Sequence, residues 1–443
     1  MSLLLRRSWE PEFAGIDVPR RDRKGCSYEA YVPDRLLDRE FLFEGAVAAD
    51  VSDAQTAVTD LNRRAVALVD TEALARLLLR AESVASSRIE GLEIGARRLL
   101  QVDATREEGE QPSDVTATDV LANIDAMTFA LKVIGKGDAI KPDHLLETHR
   151  RLLAPTRLAE HAGVIRKRQN WIGGSIYNPC NAAFIPPPPE FVEELLADLC
   201  AFCNNDTLPA IAQAAIAHAQ FETIHPFVDG NGRVGRALIH MVLRRRGLTS
   251  RVTPPVSLVL ATRAEEYMSA LMKTRYAPTA MSEEVTRTSN SWVELFATSC
   301  VRAVHDADQF EQRISSVVQA WYARLGKIRS HSAVHALIRI LPGAPILTVK
   351  TAVHLTGRSL PAVNDAVAQL VEADILRESS KRARNRIFEA REIIDAFTDL
   401  ERQLASPAGN TRIQAPVRKV PRRTLTRRQR THLLGSAKAE DVP

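Results

Sequence analysis

Apolar residues recur every three or four positions along most of the first half of the chain, which is the spacing of one face of an α-helix. The pattern predicts helices over six stretches: residues 54–99, 115–133, 142–153, 191–202, 210–221 and 234–246. Aromatic residues are few and β-branched runs are short, which disfavours an extensive sheet. The fold class is therefore predicted to be mostly α.

One stretch between these helices breaks the pattern. Residues 171–189 read WIGGSIYNPCNAAFIPPPP, and the glycine pair, the Asn-Pro step and the four prolines all argue against a helix. Short extended pieces near 175–177 and 183–185 are predicted to pair as a small β-hairpin. We call residues 171–189 the flap segment.

The pattern changes again after residue 331. Thr348 is predicted to cap a short helix, Gly357 to lie at a turn, and Ser359 to cap a second helix with Pro361 in its first turn. A strand-like start, a basic tip and an apolar return follow, up to Phe388. This order predicts a winged helix–turn–helix.

A chain of 443 residues is too long for one ordinary domain. The patterns predict five parts: an N-terminal helical region (1–110), a helical core (111–275), a helical connector (276–330), the winged helix–turn–helix (331–400) and a disordered basic tail (401–443). The tail is rich in Arg, Pro and Thr and poor in apolar residues, which is why disorder is expected there.

The net charge of +5 is unevenly placed. Residues 404–443 hold nine Lys and Arg against two acidic residues, or +7, so the rest of the chain carries −2. The basic charge therefore describes the tail and not the folded body. No stretch approaches the roughly 20 apolar residues of a membrane span, and the apolar start is too short for a secretory signal. We expect no membrane partner and a cytoplasmic location.

The five cysteines are scattered, which does not suggest a disulfide framework. Cys200 and Cys203 would share one face of a helix. No second pair with zinc spacing follows them, and a structural zinc site needs four ligands. Packing in the core is the favoured interpretation, with metal or redox chemistry as the alternative.

The run HPFVDGNGRVGR at residues 225–236 lies between two predicted helices. Its glycines fit the spacing G-x-G-x-x-G, but that dinucleotide-binding motif needs a strand in front of it, and here a helix precedes. The run instead opens a helix, whose free N–H groups and positive dipole end attract phosphate. Gly230 and Gly232 have no Cβ and so let an anion approach the backbone.

The charged residues of the same run add chemistry. Arg233 and Arg236 lie on one side of the helix and could hold outer phosphates. Asp229 supplies a hard oxygen suited to Mg²⁺. His225, with an unperturbed pKa of about 6.5, can take a proton from an attacking hydroxyl. Together these groups predict a phosphoryl-transfer site. Taken singly, each has an ordinary alternative: a packed histidine, a turn, a solvated arginine pair.

The run resembles the signature of the Fic family, HPFx[D/E]GNGRxxR, at every specified position. The resemblance implies a helical Fic core that binds Mg–ATP and transfers AMP to a hydroxyl of a target protein. It makes His225 the general base, Asp229 the magnesium ligand, and Arg233 and Arg236 the residues that orient the outer phosphates. The family implies that the α- and β-phosphates are bound by Gly230, Asn231, Gly232 and neighbouring amides. A lysine replaces Gly232 in related Doc-like kinases, so Gly232 favours AMP transfer over phosphate transfer.

The resemblance extends to two other segments. Ser86-Ser-Arg-Ile-Glu90-Gly91 matches the family's inhibitory motif, which implies that Glu90 forms a salt bridge with Arg236 and keeps it from the γ-phosphate. The ordinary alternative is that Ser86 and Glu90 end an amphipathic helix. The flap segment resembles the family's flap, in which Ser175, Ile176 and Tyr177 would pair with an extended target by strand addition.

Three alternatives remain at the level of sequence. The chain could mainly remove AMP, with Glu90 positioning a water. It could be a nucleotide-sensing regulator that binds DNA through residues 348–388 and the basic tail, although the wing could equally pack on the core or bind protein. It could also form a homodimer. The target protein cannot be identified from the sequence.

Overall fold

The structure is a computed structural model that describes residues 2–10, 19–37, 39–65, 71–106, 114–277, 279, 281–379 and 386–403. Within these residues the chain forms fifteen α-helices and five short strands, so the predicted helical fold class is confirmed. No helix among them is both long and apolar enough to cross a membrane. Residues 401–403, the first three of the predicted disordered tail, are the end of the last helix instead, because that helix continues past residue 400. The rest of the predicted tail and most of the basic wing tip lie outside the described residues.

The chain begins with a feature that the helical periodicity did not predict. Strands β1 (Leu3–Trp9) and β2 (Cys26–Val32) pair antiparallel, with Leu3 opposite Val32. The N–H of Tyr31 donates to the carbonyl of Ile185, at 2.9 Å. The N-terminal region is therefore not wholly helical, because β2 alternates in polarity and finds a partner strand and a neighbour at the end of the flap segment.

Three helices follow: α1 (Gly45–Ala65), α2 (Thr71–Ile89) and α3 (Ala96–Arg106). Sequence periodicity predicted one helical stretch here, and the structure interrupts it. Gly91, at φ 83°, adopts the left-handed conformation just after α2, a conformation that favours glycine. The break places Glu90 at the end of a helix and turns the chain toward α3.

The central bundle contains α4 (Val115–Val133), α5 (Pro142–Leu153), α6 (Pro189–Cys203), α7 (Ala210–Ile224) and α8 (Asn231–Arg245). Both α4 and α5 have the predicted bounds. Every residue of α7 is buried, because its many alanines let neighbouring helices approach closely from all sides. The central helix α7 therefore gives the segment that follows it a rigid support.

Two short helices, α9 (Val256–Thr262) and α10 (Ala264–Lys273), lead to α11 (Ser282–Leu325), a single helix of 44 residues. Helix α11 runs along α1 and α7. Its Trp292 is buried and donates its indole N–H to the carbonyl of Ala215, at 2.8 Å. The predicted connector is thus part of the same hydrophobic core as the bundle.

The C-terminal part contains α12 (Ala333–Ile340), β3 (Ile346–Thr348), α13 (Val349–Thr356), α14 (Leu360–Glu372), β4 (Arg377–Glu378), β5 (Ile387–Glu389) and α15 (Arg391–Gln403). The strand order is β3-β5-β4, with antiparallel pairs. Thr348 caps α13 by accepting from the N–H of Thr351, at 3.1 Å. Ser359 precedes α14 as predicted, but its side chain makes no capping hydrogen bond, and Pro361 removes one of the N–H groups that a cap would serve.

The expectation of no disulfide is wrong, because Cys26 and Cys180 are bonded. Their sequence separation of 154 residues gives no spacing signal, since the pair forms only when β2 meets the flap segment. Cys200, Cys203 and Cys300 are free and buried. Burial raises the pKa of Cys200 to about 12. Core packing of Cys200 and Cys203, the favoured interpretation, is confirmed.

Candidate active site

The loop between α7 and α8, residues 225–230, is the centre of the site, and we call it the motif loop. His225 ends α7 in the left-handed conformation, with φ 49°. Gly230 precedes α8 with φ 78°. These two positive φ values reverse the chain within a few residues and bring the histidine beside the N-terminus of α8.

Asn231, the first residue of α8, closes this loop. Its Oδ1 accepts from the N–H of Phe227 at 2.9 Å, and its Nδ2 donates to the carbonyl of Phe227 at 2.9 Å. The side chain is buried. The sequence placed Asn231 among the phosphate ligands, whereas both ends of its amide side chain are engaged inside the loop. Its backbone N–H, in the first turn of α8, is the group left for an anion.

Two residues outside residues 225–236, Arg166 and Asn170, hold the motif loop by hydrogen bonds to its backbone. Arg166 is buried, and its Nε donates to the carbonyl of His225 at 2.9 Å, while its Nη2 donates to the carbonyl of Pro187 at 2.5 Å. Asn170 donates from Nδ2 to the carbonyl of Phe227 at 3.0 Å. Sequence reasoning assigned no role to either residue, because side chains that bind backbone carbonyls leave no motif.

His225 is half-buried and its Nδ1 lies inside the protein. Burial, and then the positive charges of Arg275 and Arg166, lower the pKa of His225 to about 3. The imidazole is therefore neutral near pH 7 and can accept a proton. With Nδ1 enclosed, Nε2 is the nitrogen available to an incoming hydroxyl.

Glu90 and Ser86, at the end of α2, engage Arg236. The guanidinium donates to Glu90 Oε1 at 2.7 Å, to Ser86 Oγ at 2.8 Å and to the Ser86 carbonyl at 2.7 Å. Arg236 is buried, with 1% of its side chain exposed. Burial alone would raise the pKa of Glu90, but its ion pair and hydrogen bond with Arg236 lower it instead. The salt bridge implied by the family resemblance is thus present.

The carboxylate of Glu90 also lies against the first turn of α8. A Cβ atom built on Gly232 would stand 2.0 Å from Glu90 Oε1 and 2.9 Å from Arg236 Nη1. Glu90 therefore occupies space directly over the helix N-terminus, where unpaired N–H groups and the helix dipole favour negative charge. The same carboxylate therefore pairs with Arg236 and lies against the first turn of α8.

Asp229 and Arg233 form the outer part of the site. The Asp229 side chain is 49% exposed and stands 3.6 Å from Arg233 Nη2. Its Oδ1 accepts from the N–H of Gly230 at 2.6 Å. The described residues contain no cluster of three or more His, Cys, Asp or Glu that could hold a metal. One accessible carboxylate still fits Mg²⁺, which often takes one or two protein carboxylates together with phosphate oxygens and water.

The flap segment differs from its prediction. It contains one antiparallel bridge, between Ile172 and Phe184, and no regular strand at 175–177 or 183–185. Gly173 and Gly174, with φ 75° and 74°, curl the chain before it reaches Ser175. Of the predicted hairpin, only one antiparallel residue pair, between Ile172 and Phe184, is therefore present.

Beyond the glycines, two backbone groups of the predicted docking strand already have partners. The carbonyl of Ser175 accepts from Trp171 Nε1 at 2.6 Å, and the N–H of Tyr177 donates to Ser175 Oγ at 3.2 Å. Ile176 is 83% exposed. The structure thus brings the three predicted docking residues to the surface, but as a turn.

Glu222, one turn before His225, is a further buried group that the sequence did not single out. Its Oε1 has no hydrogen-bond partner, and a Cβ on Gly235 would meet it at 2.7 Å. Burial raises the pKa of Glu222 to about 7, while Arg236 acts in the opposite direction. Arg236 therefore interacts with a second carboxyl group, that of Glu222, in addition to its contact with Glu90.

Two family models match the chain. Residues 139–243 match the model described as Fic/DOC family, and residues 48–132 match the model described as Fic/DOC family N-terminal. The first range contains the motif loop, and the second contains Ser86 and Glu90. Both segments that meet at Arg236 therefore lie within the ranges that these models match.

Among curated relatives, protein adenylyltransferase fic-1 of Caenorhabditis elegans is 40% identical over 135 residues, which is 30% of this chain and 24% of the relative. Protein adenylyltransferase Fic of Drosophila melanogaster is 34% identical over 148 residues, covering 32% of this chain and 27% of the relative. The chain spans about a quarter of the length of these curated relatives.

Among solved structures, a Fic family protein from Desulfovibrio desulfuricans G20 aligns with a TM-score of 0.49 at 21% identity, covering 79% of this chain and 97% of that one. Fic-1 of C. elegans (residues 134–508) aligns with a TM-score of 0.44 at 26% identity, covering 60% and 74%.

Proposed function

We propose that the protein transfers AMP from ATP to a hydroxyl side chain of a target protein and that Glu90 inhibits this reaction. The match of residues 48–132 and 139–243 to the two Fic/DOC family models supports this proposal. The observation that carries the proposal is the contact of Glu90 with Arg236 and Gly232 at the mouth of the motif loop. The names of the curated relatives, protein adenylyltransferases, support the same activity.

His225 acts as the general base. Its neutral imidazole takes the proton of the target hydroxyl as the hydroxyl oxygen attacks the α-phosphorus of ATP. A new oxygen–phosphorus bond forms, the bond from the α-phosphorus to the bridging oxygen breaks, and pyrophosphate leaves with that electron pair. The left-handed conformation at His225 and the grip of Arg166 on its carbonyl fix the imidazole for this step.

The N-terminus of α8 holds the phosphates. The backbone N–H groups of Asn231, Gly232 and Arg233 are free of partners within the helix and point toward the loop. Gly232 leaves the space that a phosphate oxygen needs. Arg233 and Arg236 orient the outer phosphates. Asp229 would hold Mg²⁺, which neutralises phosphate charge when bound.

Glu90 inhibits because it competes with the nucleotide for Arg236 and also for the N-terminus of α8. Its carboxylate pairs with Arg236 and lies over the helix N-terminus at Gly232. An outer phosphate in that place would meet a like charge and would lack its arginine. We therefore expect ATP to bind weakly or in an unproductive position in the wild-type chain.

The test compares three full-length proteins: the wild type, Glu90→Gly, and Glu90→Gly combined with His225→Ala. With Mg²⁺ and α-labelled ATP, we expect Glu90→Gly to raise label on itself or on lysate proteins at least tenfold, and the added His225→Ala to abolish it. Glu93→Gly, an exposed glutamate three residues on, is the matched control and should behave like wild type. No label with Glu90→Gly, or label from γ-labelled ATP instead, would contradict the proposal.

Removal of AMP is a second candidate, and one observation favours it. Glu90 Oε1 lies against the first turn of α8, and a carboxylate there would hold the water that attacks the bond between AMP and the target. Incubating a target already carrying labelled AMP with wild type and with Glu90→Gly separates the two activities. Faster loss of label with wild type would favour removal.

We further propose that residues 331–400 form a winged helix–turn–helix, on the order of helices and strands from α12 to β5. Its role as a DNA-binding unit is a separate hypothesis. Helix α14 would enter the groove, but it contains no Lys or Arg and carries Asp365 and Glu372 on its exposed face. Phosphate contacts would then have to come from the wing and the tail. A gel-shift series over salt, with and without residues 404–443, tests this.

A further inference from the structure

His149, on α5, is fully buried under the motif loop. Its ring stacks on Phe227 with 3.7 Å between ring centroids and 7° between planes. A Cβ on Gly230 would come within 3.5 Å of the same ring. The imidazole therefore forms the floor on which the motif loop rests.

Both nitrogens of this ring bind backbone groups. The N–H of Gly163 donates to Nδ1 at 3.0 Å, and Nε2 lies 3.0 Å from the carbonyl oxygen of Asp229. Because Nδ1 must accept, Nε2 carries the proton and donates to Asp229. A single neutral tautomer satisfies both contacts. The ring therefore joins Gly163, in the segment after α5, to Asp229 in the motif loop.

We infer that His149 is a positioning residue for the transfer reaction: it fixes the peptide of Asp229 and the ring of Phe227, and thereby sets where the Asp229 carboxylate and His225 stand. This inference rests on the proposed function. His149 touches neither nucleotide nor target, since it lies wholly behind the loop. The ring is bonded at two edges and stacked on one face, which no other side chain reproduces.

The ordinary alternative is a buried histidine that only contributes to core stability. The two roles differ in what a substitution would disturb. A positioning residue affects the loop and the metal dependence selectively, whereas a core residue affects the whole bundle evenly. The comparison therefore needs a readout of local order besides activity.

The test uses the full-length Glu90→Gly protein carrying His149→Phe or His149→Gln. Phenylalanine keeps a flat ring on Phe227 and loses both hydrogen bonds, whereas glutamine can keep the donor to Asp229. His161→Phe, which changes a partly exposed histidine nearby, is the control. Hydrogen exchange by mass spectrometry compares a peptide over residues 226–234 with a peptide over α4.

We expect His149→Phe to speed exchange in the loop peptide about tenfold with little change in α4, a size typical of the loss of one hydrogen bond. The Mg²⁺ concentration for half-maximal transfer should rise about tenfold and kcat should fall about tenfold. The KM for ATP should change less than about threefold, and His149→Gln should fall between Phe and the parent.

Unchanged exchange in the loop peptide, or an equal rise in the loop and in α4, would overturn the inference. So would a change in His161→Phe as large as in His149→Phe. If Glu90→Gly itself incorporates no AMP, the proposed function fails, but the exchange comparison still decides whether His149 orders the loop.

Discussion

The motif loop and the flap segment are both irregular and both border the candidate site, yet they are held in different ways. The loop is fixed from inside, by Asn231 at its end and by Arg166 and His149 beneath it. The flap segment is fixed by two contacts. One is the bridge between Ile172 and Phe184, and the other is the disulfide that joins Cys180 to Cys26 in the N-terminal sheet. Its middle, around Ile176, faces solvent.

This difference matches what each segment has to do in the proposed reaction. A base and a phosphate site need fixed geometry before the substrate arrives, because misplaced groups lose most of their effect. A surface that receives varied target segments needs accessible backbone more than fixed side chains. Buried polar side chains bind the backbone of the motif loop directly, whereas the tip of the flap segment at Ile176 is exposed.

The largest effect is expected from removing the hydrogen bonds that hold the motif loop from inside. Asn231→Ala removes both hydrogen bonds to Phe227 and leaves the buried N–H of Phe227 without a partner, while the Phe227 carbonyl still accepts from Asn170. In the Glu90→Gly background we expect AMP transfer to fall about 100-fold, and the free energy of unfolding to fall by about 2–4 kcal/mol. Initial rates of label incorporation and urea denaturation measure the two.

Asn178→Ala is the matched comparison in the flap segment. Asn178 is equally buried and bonds to Asp22 and to the N–H of Cys180. We expect a similar loss of stability but less than about fivefold loss of transfer. Equal losses of transfer in both variants would mean that the two segments are not held for different purposes.

The first turn of α8, which follows the motif loop, is in contact with a distant part of the chain, as the flap segment is, because Glu90 lies against Gly232. A methyl group in Gly232→Ala would collide with the Glu90 carboxylate. We expect a cost of about 1–2 kcal/mol when Glu90 is present. In the Glu90→Gly background we expect a gain of up to about 1 kcal/mol, because alanine improves the helix and Arg236 Nη1, 2.9 Å from the added Cβ, is released from its ion pair and can move away. Urea denaturation of the four proteins gives the cycle, and the same sign in both backgrounds would contradict it.

The same contrast explains which features could be read from the sequence. The bounds of α4 and α5 followed from apolar periodicity, and the loop followed from a contiguous run of residues, since its geometry is encoded locally. The Cys26–Cys180 bond and the contact of β2 with Ile185 join segments 154 residues apart. His149 and Arg166 bind backbone groups, which every segment offers, so neither residue received a role from the sequence, although residues 163–166 resemble the family.

A smaller effect should follow from a change at the flap tip. Ile176→Asp alters a side chain that is 83% exposed, so thermal stability should stay within about 1 °C of the parent. In the Glu90→Gly background we expect labelling of lysate proteins to fall about threefold to fivefold with unchanged ATP affinity, because an apolar contact with the target is lost. Leu42→Asp, at another exposed apolar position, should leave labelling unchanged.

The smallest expected effect is a change of stability with pH. The two segments differ in the titratable groups that contribute to it. Burial lowers the pKa of His149 to about 4 and of His218 to about 3, whereas the flap segment contains no histidine. Each histidine binds fewer protons folded than unfolded. Its stabilisation is therefore complete above about pH 6.5 and is lost as the pH falls toward the folded pKa.

Glu222 acts in the opposite sense over the same range. Its folded pKa of about 7 lies above its unfolded value, so lowering the pH from 7 to 6 favours the folded state. The pKa of His225 is lowered in the same way, so the three histidines should outweigh Glu222 only slightly in the wild type. We expect the free energy of unfolding to fall by about 1 kcal/mol between pH 7 and 6. Glu222→Gln removes the compensation, and urea denaturation of this variant should then show stability falling more steeply as the pH is lowered. A profile no steeper than that of the wild type in Glu222→Gln would mean that the histidines behind the motif loop are not held neutral by burial.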